Sequence, residues 1–188
     1  MLIPPHKNRL ELKTLIDQYK NNYDASHGDG YKEDHLRQDI LDRFFGLKIM
    51  GWDIGNISGL AEQYKDVVNE DSIKIGKQAK APDYSFRIGG TRKFFVEAKK
   101  PKIEIKKDAE SAYQLRHYAW NADLPISILT NFEELSIYDC RIKPRVNDSA
   151  EVARIDYIGY EQYLEKFDQL YSIFSKEAIL KGSFDKFA

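Results

Sequence analysis

The chain has 188 residues, 42% of them hydrophobic and 31% charged, with a net charge of −1: the length of one globular domain with a small extra element. Aromatic residues, among them 12 Tyr and 10 Phe, supply a sizeable core, while the single cysteine, Cys140, excludes an internal disulfide and points to a reducing interior. No apolar run nears the roughly 20 residues a membrane span needs, and the opening Met1 to Lys7 has no apolar signal core, so a cytoplasmic protein without a membrane partner is expected.

Leu12, Leu15, Ile16 and Tyr19 recur at helical spacing and predict a first helix over about 7–20. Asn21 to Gly30 is a polar break, and a second helix over about 33–48 presents Leu36, Ile40, Leu41, Phe44 and Phe45 on one face. Gly51-Trp52-Asp53-Ile54 reads as the opening of a strand. Residues 56–80 are polar, with short apolar pieces at Val67-Val68 and at Ile73 and Ile75, and resist assignment. Residues 82–99 carry the clearest β signal, a hairpin turning at Gly89-Gly90. A helix over about 108–121, N-capped by Asp108, ends at Leu124-Pro125. Ile126 to Leu129 and Leu135 to Tyr138 then read as short strands. After a loop near 143–152, a last helix over about 160–180 carries an aromatic stripe from Tyr160 to Phe174. The order predicts an α/β domain, a central mixed sheet flanked by helices.

Hairpin register comes from burial. A two-residue loop at Gly89-Gly90 sets Asp83 opposite Val96 and Phe86 opposite Lys93, mixing apolar and charged positions. An odd loop of three or five residues pairs Asp83 with Glu97, Tyr84 with Val96 and Phe86 with Phe94, leaving Tyr84, Phe86, Phe94, Val96 and Ala98 on one apolar face. Asp83, Glu97 and Lys99 then share the other face, because side chains alternate along a strand.

Pro82-Asp83 followed by Glu97-Ala98-Lys99 fits the Pro-Asp…(Asp/Glu)-x-Lys pattern of a large nuclease superfamily. Adjacent carboxylates repel unless a cation neutralises them, and Mg²⁺ takes oxygen ligands. Asp83, Glu97 and the Ala98 carbonyl are the expected metal ligands, with Mn²⁺ as a substitute. Lys99 is expected to hold the attacking water or the charge developing on phosphorus. For the motif alone, a surface hairpin with a salt bridge to Lys99 is an equally good account; the hairpin context favours chemistry.

These residues and their neighbours resemble the N-terminal nuclease region of type IIG restriction–modification enzymes, itself similar to the N-terminal part of type I restriction subunits. The likeness spans about 31–187 and is carried by four segments: Glu33 to Arg37 with Ile40 to Phe45 and Gly51-Trp52-Asp53; the Asp83…Glu97-Ala98-Lys99 core; Gln114 to Tyr118, matching a Gln-x-x-x-Tyr motif; and Ile128 to Glu133. Arg43 stands where the family often has Pro. The resemblance implies a restriction-endonuclease-like fold, Glu33 as a further metal ligand, and Arg37, Lys100, Gln114 and Tyr118 as residues that contact DNA or support the site. It also implies a methyltransferase using S-adenosylmethionine and a target-recognition region downstream. A nuclease domain over 1–150 and a helical extension over 151–188 leading toward them are therefore expected, the aromatic stripe packing against a downstream domain. Without the resemblance, Glu33 and Arg37 are a surface ion pair, and Gln114 and Tyr118 the polar edge of a helix; His35 and His117 read as structural or surface residues ahead of phosphate contacts.

The expected activity is Mg²⁺-dependent, site-specific hydrolysis of double-stranded DNA, with transient dimerisation for the second strand. With so balanced a charge, any DNA contact must use two local clusters, Lys99, Lys100, Lys102, Lys106 and Lys107, and Arg141, Lys143 and Arg145, which taken alone read first as solvated surface runs. The isolated domain is expected to cut poorly and without preference. The alternatives are a stand-alone repair or recombination nuclease, and a non-catalytic DNA-binding or assembly module of the same fold.

Overall fold

A computed structural model describes residues 1–187. Helix α1 (His6–Asn21) buries Leu12, Leu15, Ile16 and Tyr19, as its spacing predicts. A short helical turn, Tyr23–Ser26, occupies the polar break. The next helical stretch, α2 (residues 33–45), has an α turn at each end and a π segment, Arg37–Leu41, between them. An i→i+5 turn brings residues five apart onto one face, and Leu36 and Leu41 are both fully buried. Arg43 keeps this helix running where Pro would stop it, and it hydrogen-bonds Gln18 of α1.

The strand expected at residues 51–54 does not form; a single bridge joins Gly46 and Trp52. Side chains won over ladder pairing here. The Asp53 carboxylate accepts from the N–H groups of Ile57 and Ser58, making a turn, and the buried Trp52 indole donates to the Phe174 carbonyl at 2.9 Å.

The main sheet has six strands: β1 (Val67–Asn69), β4 (Tyr84–Ile88), β5 (Thr91–Ala98), β6 (Ile126–Thr130), β7 (Glu134–Asp139) and β8 (Arg154–Gly159), in that order. Only β5 and β6 run parallel. The short strands β2 (Ile73–Ile75) and β3 (Gln78–Lys80) form a separate ribbon. Strand β8 was not anticipated: of its six residues only Ile158 is buried, so an edge strand left no alternation to read.

The β4–β5 hairpin reconciles the even and the odd loop. Its turn has two residues, Gly89 and Gly90, with φ of 55° and 85°, which only glycine adopts without strain. Ile88 pairs with Thr91 and Arg87 with Arg92. A bulge at Lys93 then shifts the register, so that Phe86 faces Phe94 and Tyr84 faces Val96. The expected odd loop is thus an even loop plus one bulged residue.

On one face Tyr84, Phe86, Phe94, Val96 and Ala98 join α1, α2 and the C-terminal helices in the main core, the Phe86 and Phe94 rings stacking at 4.5 Å. On the other, Phe95 and Leu129 pack against Leu115, Tyr118 and Ala119 of α3 (Ala109–Asn121). Asp108 caps α3, as expected, by accepting from the Ser111 N–H at 3.0 Å.

The single C-terminal helix expected over 160–180 is two, α4 (Tyr163–Phe174) and α5 (Lys176–Leu180). Ser175 breaks them with an extended ψ of 152° and caps α5 through its hydroxyl. The stripe residues Tyr163, Phe167, Leu170, Tyr171 and Phe174 are buried in the main core. They complete this domain rather than waiting for another one. The boundary expected at residue 150 falls just before β8, which is hydrogen-bonded into the sheet. No helix among the described residues is long and apolar enough to cross a membrane.

Candidate active site

Asp83 lies where the chain enters β4, and Glu97 is the next-to-last residue of β5. The register that packs the aromatic face brings them side by side. Each carboxylate accepts from the main chain of the other's strand: Asp83 Oδ2 from the Ala98 N–H at 2.7 Å, Glu97 Oε1 from the Asp83 N–H at 2.9 Å. These reciprocal bonds fix both side chains and leave Asp83 Oδ1 and Glu97 Oε2 free of backbone donors. The N–H and C=O of one strand residue point the same way, so the Ala98 carbonyl faces the same side as Asp83.

Lys99 is held at its N–H by the Thr130 carbonyl at 3.0 Å, one step beyond the last β5–β6 pair. Its ammonium lies 3.9 Å from a carboxylate oxygen of Glu33, which reaches the site from the first turn of α2. Arg37, one turn on, pairs with Asp34 at 2.7 Å and approaches Asp83 Oδ1 at 3.4 Å; its partners are not Glu33. The Asp83 carbonyl accepts from the N–H of Glu70 at 3.2 Å and the side chain of Asn69 at 3.3 Å, two contacts no sequence pattern signalled.

All three carboxylates hold their protons more tightly than usual. Glu97 is only 4% exposed. Burial, and then the neighbouring Asp83 charge, push its carboxyl well above the ordinary range. Burial also raises Asp83, against the pull of the Ala98 N–H, Arg37 and Lys99. Glu33 is raised by burial despite Lys99. Desolvation is the chief cause in all three, offset only in part by Arg37 and Lys99, and a bound cation would oppose it further.

A divalent cation fits this donor set in kind: Asp83, Glu97 and the Ala98 carbonyl are hard oxygens, and Mg²⁺ is commonly held by one or two carboxylates plus water and substrate. Among the described residues no three Asp, Glu, His or Cys side chains converge as a ready-made metal cage, so Glu33 stands at the mouth of the site with Lys99 rather than inside a trio.

Gln114 and Tyr118 sit on α3, which covers the sheet face bearing Glu97. They bond each other, Gln114 Nε2 to Tyr118 Oη at 2.6 Å, and neither hydrogen-bonds Asp83, Glu97 or Lys99 among the described residues. Lys100 is half-buried and enters no ion pair among the described residues. His35 accepts from the Lys32 N–H at the start of α2, and His117 stacks on Tyr113, the structural roles expected of them.

Sequence reasoning passed over Glu134. Its carboxylate accepts from the Ile105 and Lys106 N–H groups, Asn131 and Tyr157, pinning the 99–108 loop beside the site. The Asn131…Glu134 spacing, closed by Glu134 N–H to Asn131 Oδ1 at 2.7 Å, was the available signal.

Residues 66–145, which hold Asp83, Glu97, Lys99, Gln114 and Tyr118, match the family model described as the type I restriction enzyme R protein N terminus. Over 177 residues, 93% of its length, the chain is 40% identical to the type II restriction enzyme and methyltransferase RM.Eco57I of Escherichia coli. The resemblance to restriction–modification enzymes stands. The chain spans 18% of that relative's length. Among solved structures it is similar to the type IIG restriction endonuclease BpuSI, with a TM-score of 0.39 and 18% identity, covering 66% of this chain and 15% of that one.

Proposed function

We propose that this chain is the endonuclease region of a type IIG-like restriction–modification enzyme, and that it hydrolyses phosphodiester bonds of double-stranded DNA with Mg²⁺ or Mn²⁺. The observation that carries this reading is the pair Asp83 and Glu97, locked by reciprocal backbone bonds, with Arg37 reaching only Asp83 and Lys99 beside them.

Asp83 Oδ1, Glu97 Oε2 and the Ala98 carbonyl would hold the metal, with Arg37 yielding Oδ1 to it and Glu33 reaching it through water. When bound, such an ion polarises a phosphoryl oxygen and makes water a better nucleophile. The residues themselves supply the rest. The hairpin and the two N–H bonds keep the carboxylates in place without reorganisation. Lys99, tethered through Thr130, offers an ammonium to the attacking water or to the charge growing on the phosphoryl oxygens. Glu33 holds the free end of Lys99 until substrate competes for it. Arg37 steadies Asp83 and, with Lys100, Gln114 and Tyr118, borders the strand path.

Target choice would belong to further parts of a longer enzyme, a target-recognition region and a methyltransferase using S-adenosylmethionine. Cutting both strands would use two copies in turn, and a DNA substrate suits a cytoplasmic setting.

The test is isothermal titration of Mg²⁺ and Mn²⁺ into the wild-type protein and Asp83→Ala, with plasmid nicking followed in parallel and circular dichroism confirming the fold. Binding and nicking that both vanish in Asp83→Ala are expected. Metal heats and nicking retained in Asp83→Ala would remove Asp83 from the centre, and both absent from two folded proteins would transfer the fold to a non-catalytic DNA-binding role.

A further inference from the structure

The ribbon β2–β3 grows out of the site. Its base closes where β1 ends and β4 begins, with Asn69 opposite Tyr84 and the Glu70 N–H on the Asp83 carbonyl at 3.2 Å. The chain thus leaves the sheet, makes the ribbon, and returns directly into Asp83. The ribbon is firmly mounted. Asp71 is gripped by Arg87 and Arg92, Arg92 also donates to the Ser72 carbonyl, and Ile73 is buried in the core beneath α3. Yet all three residues of β3 are exposed.

Its chemistry is one-sided. Residues 72–82 carry Lys74, Lys77 and Lys80 and no acidic residue, in a chain whose net charge is −1. None of the three lysines enters an ion pair among the described residues, whereas Lys102 does, with Asp29. Residues directly opposite in an antiparallel pair share a face. Lys74 pairs with Ala79 and Lys80 with Ile73, so these two lysines project from opposite faces, with Lys77 at the tip beyond Ile75 and Gln78. Lys80 is three residues from Asp83, about 10 Å of extended chain. That is the axial rise of roughly three nucleotides of one DNA strand.

We infer that the β2–β3 ribbon is a phosphate-contacting arm, in which Lys74, Lys77 and Lys80 hold the backbone of duplex DNA against the Asp83–Glu97 centre. The inference rests on the nuclease reading above and adds to it the surface that supplies affinity. The ribbon reads no bases. It contributes the salt-dependent, sequence-independent part of binding next to the metal ligands, while Asp83, Glu97 and Lys99 set the geometry of the reaction.

The test compares wild type, the triple variant Lys74→Ala/Lys77→Ala/Lys80→Ala and the triple Lys→Arg variant. Fluorescence anisotropy with a labelled short duplex, in Ca²⁺ to prevent cutting, is measured across a salt series, and nicking kinetics are measured in Mg²⁺. For the alanine variant, the slope of log K against log salt is expected to fall by about 2–3 and the KM for DNA to rise at least about tenfold, with kcat unchanged and the Arg variant close to wild type. An alanine variant that binds as tightly as wild type, with the same slope, overturns the ribbon's role and leaves the nuclease reading intact. Wild-type protein that binds no duplex overturns both. Nicking that survives Asp83→Ala removes the proposed centre, while a lowered salt slope in the alanine variant still upholds the arm.

Discussion

Asp71 and Asp83, twelve positions apart, belong to two acidic sites with opposite electrostatic fates. Asp71 is buried, its side chain 9% exposed, and is gripped by Arg87 at 2.6 Å and by Arg92 at 2.7 and 3.0 Å. Burial pushes its carboxyl up, but the hydrogen bonds from Arg92 and Arg87 outweigh it and hold the group below the ordinary range. Glu97 is buried and Asp83 half-buried, and their cations are fewer and more distant: Arg37 at 3.4 Å from Asp83, with Lys99 at 3.9 Å from Glu33. Both stay raised. The chain neutralises with two arginines the carboxylate it uses to build, and neutralises only in part the pair it is proposed to use for chemistry. Perturbed carboxylates mark functional sites for this reason.

The largest expected effect falls on the reactive side. Lys99→Met should keep the fold and lower the nicking rate by about 10²–10³-fold, the usual loss when one donor to developing charge is removed; an unchanged rate would leave Lys99 a mere partner of Glu33. Next comes the structural side. Asp71→Ala strands two partly buried guanidinium groups and should destabilise the protein by about 3 kcal/mol, read from the urea midpoint. Glu97→Gln inverts that outcome: without metal it should raise stability at neutral pH by on the order of 1 kcal/mol while removing metal heat and nicking. A destabilised Glu97→Gln protein would contradict the idea of an under-neutralised pair.

The two sites also differ in the sign of their pH dependence. Glu97, raised in the fold, contributes stability that is complete below the unfolded carboxylate range and is lost as pH rises through its folded value. Asp71, lowered in the fold, contributes stability that is present above the unfolded range and is lost as pH falls through its folded value. Metal-free denaturation curves of wild type against each variant should separate these opposite slopes. The smallest effect is expected at Tyr118→Phe, which deletes the 2.6 Å bond from Gln114. It should cost about 1 kcal/mol and leave metal binding intact; lost nicking there would draw Gln114 and Tyr118 into the site.

Much of the centre was legible because strand alternation is a local property. The apolar positions Tyr84, Phe86, Phe94, Val96 and Ala98 admit one pairing, and that pairing sets Asp83 beside Glu97 whatever surrounds the hairpin. Helix caps such as Asp108 are equally local. Strand β8 and the ribbon β2–β3 were not legible, since their burial depends on neighbours remote in sequence rather than on their own pattern.

By itself, then, the sequence determined the hairpin, its register and the kinship with restriction–modification enzymes, because side-chain periodicity and motif spacing act over a few residues. Only the tertiary structure decided how the register is reached, through a bulge at Lys93. It also turned the aromatic stripe of α4 inward to complete this core. And it alone brought Glu33, 66 positions earlier in the chain, to Lys99. Such outcomes depend on which surfaces remain to be covered once the sheet has formed, and on where charges from distant segments then meet.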